Sequence, residues 1–119
     1  MRVLIVDDSR LARMVLRKAL PPSLSTDVVE AATGSEAIRH VESSRVDLML
    51  LDLTMPDRDG YEVLKALQDS GQTPPTIVVS ADVQTMAADR VLKLGALAFL
   101  KKSLKPAELT DVLQRAGLL

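Results

Sequence analysis

The stretch DLMLLDLTMPDRDGYEVL, residues 47–64, decides the fold. It begins with Leu48–Leu51, an apolar run that is continuous rather than alternating. That pattern fits a strand buried on both faces of a parallel sheet. Asp52 follows directly, then a turn-rich segment containing Met55, Pro56 and Gly60. Val63, Leu64 and Leu67 then recur at helical spacing, and Gly71 and Pro74-Pro75 end the helix. The unit is a strand, a loop with a carboxylate at its start, and a helix.

The same unit recurs in both directions along the chain. Strands are expected at Val3–Val6, Val28–Ala31, 76–79 and 97–100. Leu11, Val15 and Ala19 share one face of a first helix, stopped by Pro21-Pro22. Ala37, Ile38 and Val41 mark a second helix. Ala87, Val91 and Leu94 mark a fourth, closed by Gly95. Leu109, Val112, Leu113 and Ala116 mark a fifth, opened by Pro106. Alternation of this kind predicts an α/β fold with a parallel five-stranded sheet and helices on both faces. No linker, repeat or low-complexity segment interrupts it, so residues 1–119 read as one domain.

Composition narrows the function. The chain is 47% hydrophobic and 26% charged, with a formal net charge of −1. It has no cysteine, which excludes disulfides, thiolate metal sites and cysteine nucleophiles. This suits a reducing, cytoplasmic setting. No apolar run approaches the roughly 20 residues of a membrane span, and the N-terminal run is cut by two aspartates, unlike a signal peptide. The aromatics are Tyr61 and Phe99, too few for a base-stacking platform, and the charge balance argues against nucleic acid as a partner.

In sheets of this class ligands bind beyond the carboxyl ends of the strands. Asp7, Asp8 and Ser9 follow the first strand, Asp52 the third, Ser80 and Ala81 the fourth, and Lys101 and Lys102 the fifth. Each has an ordinary structural use when taken alone. Asp8 or Ser9 can cap a helix, Asp52 can start a turn, Ser80 can cap the fourth helix, and a lysine is usually solvated. Taken together they pose an electrostatic problem. Two like charges about 4 Å apart cost roughly 4 kcal/mol at an effective dielectric near 20. A metal or the lysine must offset the carboxylates, or one must stay protonated. The donor set favours Mg²⁺ over Ca²⁺ or Zn²⁺. A carboxylate held beside cations can attack phosphorus, and the cations stabilise charge on the phosphoryl oxygens. Asp52 on the central strand is the expected nucleophile.

With those stretches in place, the sequence closely resembles the response-regulator receiver domains of two-component signalling. The resemblance runs through VLIVDDS (3–9), AATGSEAI (31–38), residues 47–64, TIVVSA (76–81) and GALAFLKKSL (95–104). It implies a doubly wound (βα)5, flavodoxin-like fold with strand order 2-1-3-4-5. It implies that Asp52 is the phosphoacceptor and that Mg²⁺, or Mn²⁺ in its place, is held by Asp7, Asp8, Asp52 and the Thr54 backbone carbonyl. Asp7 would act largely through water. Ser80, Ala81 and Lys102 would contact the phosphoryl group, and Ser80 and Phe99 would form the switch. The implied donor is a histidine kinase or phosphotransfer protein. The implied output is partner binding on the face of the fourth helix, fifth strand and fifth helix, by a monomer without an output domain. Thr54 and Asp82 flank the site and would tune dephosphorylation.

One position departs from the family. Proline usually follows the phosphoryl-contacting lysine, joined by a cis bond, and here the residue is Ser103. Cis costs about 0.5–1 kcal/mol before proline but about 2.5–4 before another residue. The expectation is therefore a trans bond, with Lys102 placed differently at rest and engaged only when a phosphoryl group arrives. Lys101 and Lys105 read as surface charge. The alternatives are a phosphorylation-independent adaptor and a haloacid-dehalogenase-like phosphatase. The latter wants a second aspartate two positions after the nucleophile, where Thr54 stands. A flavodoxin would need aromatic stacking around its flavin, which this chain does not supply.

Overall fold

The computed structural model describes residues 1–81 and 86–119. Five strands, β1 (Val3–Val6), β2 (Val28–Ala31), β3 (Leu48–Leu51), β4 (Thr76–Ser80) and β5 (Ala98–Lys101), form one sheet. All pair in parallel, in the order β2-β1-β3-β4-β5. The helices are α1 (Arg10–Ala19), α2 (Gly34–Ser43), α3 (Gly60–Ser70), α4 (Ala87–Lys93) and α5 (Pro106–Arg115). Every residue of β1, β3 and β4 is buried, while the edge strands β2 and β5 are only partly so. Continuous apolar runs thus mark the central strands, and the charges Glu30 and Lys101 fall on the edges.

The sheet separates two cores. Leu4, Val6, Met49, Leu51 and Val78 face one way and pack with Ala37, Val63, Leu64, Leu67 and Val91 of α2, α3 and α4. Val3, Ile5, Leu48, Leu50, Ile77 and Val79 face the other way, against Leu16 and Ala19 of α1 and Leu109 and Leu113 of α5. On the first side, the Arg90 guanidinium carbon sits 3.8 Å from the centre of the Tyr61 ring and ties α4 to α3.

Helix α1 corrects one expectation. Leu11 and Val15 are 69% and 52% exposed, and the buried residues are Leu16 and Ala19. Two adjacent apolar rows run along this helix, and spacing alone does not choose between them. Ser9 caps the helix by accepting from the Ala12 N–H at 3.2 Å. Arg13 reaches the end of β1, and these anchors accompany the rotation that turns the Leu16 row inward. Leu16→Ala should therefore cost about 2–5 kcal/mol in urea unfolding. Leu11→Ala should stay within about 0.5 kcal/mol. Equal costs would contradict the observed rotation.

Candidate functional site

The parallel strands deliver their C-terminal residues to one edge. Asp7 follows β1 and is fully buried; its N–H donates to the Ala31 carbonyl at 3.1 Å. Its Oδ1 accepts from the Ser9 N–H at 2.9 Å. Asp8 is exposed. Asp52 follows β3 and is 3% exposed, and its Oδ1 accepts from the Leu53 N–H at 2.9 Å. One carboxylate oxygen from each of Asp7, Asp8 and Asp52 lies within 4.8 Å of the others. Ser80 ends β4 and is fully buried. Ala81 follows it, exposed.

The loop after Asp52 is built to return the chain across this edge. Met55 is buried among the α2–α4 side of the core. Asp57 takes φ 72°, a left-handed conformation that Asp tolerates better than most residues. Asp59 then caps α3, with a reciprocal bond between Glu62 and the Asp59 N–H. Gly60 follows because a Cβ there would overlap the Asp52 carbonyl. The exposed Thr54 lies in this loop, two residues from the acceptor candidate.

Lys102 closes the cluster. Its N–H donates to the Ser80 carbonyl at 3.1 Å, and Leu104 N–H turns back onto the Lys101 carbonyl at 3.0 Å. No cis peptide bond occurs among the described residues, so Lys102-Ser103 is trans. The expectation that a trans bond leaves the lysine disengaged at rest is overturned. Lys102 Nζ lies 2.9 Å from Asp7 Oδ2 and 3.3 Å from Asp52 Oδ2. The flexible side chain reaches the acids without the cis turn. Lys101 and Lys105 are exposed, as read. Phe99 is half-buried against the α2–α4 side of the core. Asp82 lies outside the described residues.

These contacts set the ionisation. Burial pushes the Asp52 carboxyl above its usual range, the nearby Asp7 charge adds to this, and Lys102 opposes both. Burial works against the Lys102 ammonium, but Asp7 and Asp52 outweigh it and its pKa is raised on balance. The residues fit a hard cation. Three carboxylate oxygens converge, and among the described residues the buried Asp7 Oδ2 has no aligned hydrogen-bond donor, since Lys102 meets it as an ion pair outside hydrogen-bonding geometry.

Arg13 and Glu30 were missed in the sequence. Arg13 Nη1 donates to the Asp7 carbonyl at 2.7 Å and its Nε to Glu30 Oε1 at 2.6 Å. The available signal was Glu30 itself, a charge inside an otherwise apolar strand.

Fold and site together define a doubly wound α/β domain with an acidic pocket and a lysine at the carboxyl edge of its sheet. Residues 3–114 match the family described as response regulator receiver domain, and the chain belongs to that family. It is 30% identical over 116 residues to the chemotaxis protein CheY of Thermotoga maritima, covering 98% of this chain and 97% of that one. It is 38% identical over 112 residues to a protein-glutamate methylesterase/protein-glutamine glutaminase of Koribacter versatilis, covering 92% of this chain. This chain spans 31% of that protein's length and 56% of the length of the transcriptional regulator LiaR of Bacillus subtilis, another relative. Among solved structures, a chain of the CheX–CheY–BeF3–Mg²⁺ complex from Borrelia burgdorferi superposes with a TM-score of 0.85 at 27% identity. That match covers 100% of this chain and 90% of the other.

The electrostatics yield two expectations in EDTA. A raised folded-state pKa makes the Asp52 contribution favourable below the unfolded carboxyl pKa and lost as pH rises through the folded value. Asp52→Asn, which keeps an acceptor for Leu53, should therefore raise the thermal midpoint at pH 7, with the gain shrinking towards pH 3. A lower midpoint at pH 7 would contradict this. Lys102→Ala leaves Asp7 and Asp52 without their cation and should lower the midpoint. The same variant should gain more stability than wild type from saturating Mg²⁺, because no lysine competes for Asp7; an equal gain would separate the two cations.

Proposed function

We propose that this receiver accepts a phosphoryl group on Asp52 and signals by changing its affinity for a partner protein. The observation that carries the reading is the meeting of Asp7, Asp8 and Asp52 with Lys102 at one sheet edge. Asp7, Asp8, Asp52 and the Thr54 carbonyl would hold Mg²⁺, or Mn²⁺ in its place. When bound, the metal supplies positive charge against the phosphoryl oxygens.

The chain's own residues do the rest. An Asp52 oxygen attacks the phosphorus of a phosphohistidine on a histidine kinase or phosphotransfer protein. The new O–P bond forms as the P–N bond breaks, and the electron pair leaves on the imidazole nitrogen. Lys102, 3.3 Å from Asp52 Oδ2, would pair with a phosphoryl oxygen, and Ser80 and Ala81 would contact the same group. Drawing Ser80 towards the phosphoryl group would free space for Phe99 to turn inward; Thr54, two residues after the acceptor, and Asp82, two after Ser80 in the sequence, would affect the adduct's lifetime.

The output face is then α4, β5 and α5. Exposed Met86, Leu92 and Leu97, at 62%, 47% and 48%, support a protein partner there. On this reading it acts in the cytoplasm as a phosphoacceptor, not a turnover enzyme. No helix among the described residues is long and apolar enough to cross a membrane.

Incubation with acetyl phosphate and Mg²⁺ should give one phosphate adduct by intact mass. EDTA should prevent it and Asp52→Asn abolish it. A wild-type protein that binds Mg²⁺ yet takes no phosphate would sink the proposal.

A further inference from the structure

We infer that Arg13 is a positioning residue for the metal-binding loop, anchored in turn by Glu30. The inference rests on the proposed metal reading and goes beyond it to residues that touch neither metal nor phosphate. Asp7 is the first residue past β1, and its carbonyl belongs to the peptide that joins Asp7 to Asp8. The orientation of that peptide sets the direction in which the chain presents Asp8. At its start, Asp7 is held by its own N–H on the Ala31 carbonyl at 3.1 Å. At its end, the Asp7 carbonyl accepts from Arg13 Nη1 at 2.7 Å.

Arg13 does not hold this position alone. It lies in the first turn of α1, with its own N–H bonded to the Ser9 carbonyl at 3.0 Å. Its Nε donates to Glu30 Oε1 at 2.6 Å, and Arg17 Nη1 meets Glu30 Oε2 at 3.3 Å. The Arg13 side chain is 15% exposed and Glu30 36%. The guanidinium fork thus links three elements: α1, the end of β1 and the edge strand β2. Its rigid, planar donors suit two simultaneous bonds in a way a single ammonium does not.

The sign of the effect distinguishes positioning from charge. Arg13 is a cation near a cation site. If it acted only through its charge, removing it would tighten divalent binding. If it positions the Asp7-Asp8 peptide, removing it weakens binding, and partners that orient metal ligands are typically worth 10–100-fold in affinity.

The test is Mn²⁺ binding followed by the electron paramagnetic resonance of the free ion, with Mg²⁺ competition, on full-length chains shown folded by circular dichroism. Arg13→Ala should bind at least about ten-fold more weakly than wild type. Arg13→Lys, which keeps the charge but not the fork, should recover only part of the loss. Affinity that is unchanged or tighter in Arg13→Ala overturns the inference, as does full recovery by Arg13→Lys. Should Arg13→Ala not fold, Glu30→Gln decides, measured near 1 M KCl, where the Debye length is about 3 Å and remote charge is screened. It should bind several-fold more weakly, and unchanged affinity overturns the inference. A wild-type protein that binds neither ion overturns the metal reading first and this inference with it, an outcome separate from wild type and variants binding alike.

Discussion

Mutual repulsion among Asp7, Asp8 and Asp52 is the constraint around which this domain is arranged. A parallel sheet sends the ends of its central strands to the same edge, so carboxylates that follow β1 and β3 are brought together by the hydrogen-bond register itself. Two of the three are almost completely out of water. Their charge is offset by Lys102 from the end of β5, across the sheet from β1. Three carboxylates against one ammonium leave the cluster net negative, which suits the metal and phosphoryl uptake proposed above.

The remaining architecture keeps this tension in place. Packing on both faces of β1, β3 and β4 prevents the strand ends from drifting apart. The loop after Asp52 is tied down by a buried methionine, a left-handed aspartate, a capped helix and a glycine pressed against the Asp52 carbonyl. The Asp7 peptide is held from β2 on one side and from α1 on the other. Backbone caps, a buried side chain and a side-chain-to-carbonyl bond thus fix where the loop presents these acids.

Ser103 shows how loosely sequence rules govern a long side chain. A proline-linked cis turn is one means of aiming the lysine, but four methylenes give Lys102 enough reach to find the acids from a trans backbone. The strong attraction of two buried carboxylates selects that rotamer, and the backbone need only bring Lys102 to the edge, which its N–H bond to Ser80 does.

Much of this was legible in the residues alone. Continuous apolar runs mark strands buried on both faces because a doubly covered parallel sheet leaves no polar side, and all five lie within a residue of where those runs fall. Asp52, Asp7, Asp8 and Lys102 stand at strand ends, so knowing the strands placed them together. Tertiary structure alone decided which of two apolar rows of α1 faces the core, whether Lys102 reaches its partners at rest, and that Arg13 spans from Asp7 to Glu30. Local periodicity is a property of one element, whereas helix rotation, rotamer choice and a bond between residues 17 apart depend on surfaces that exist only once the elements have packed.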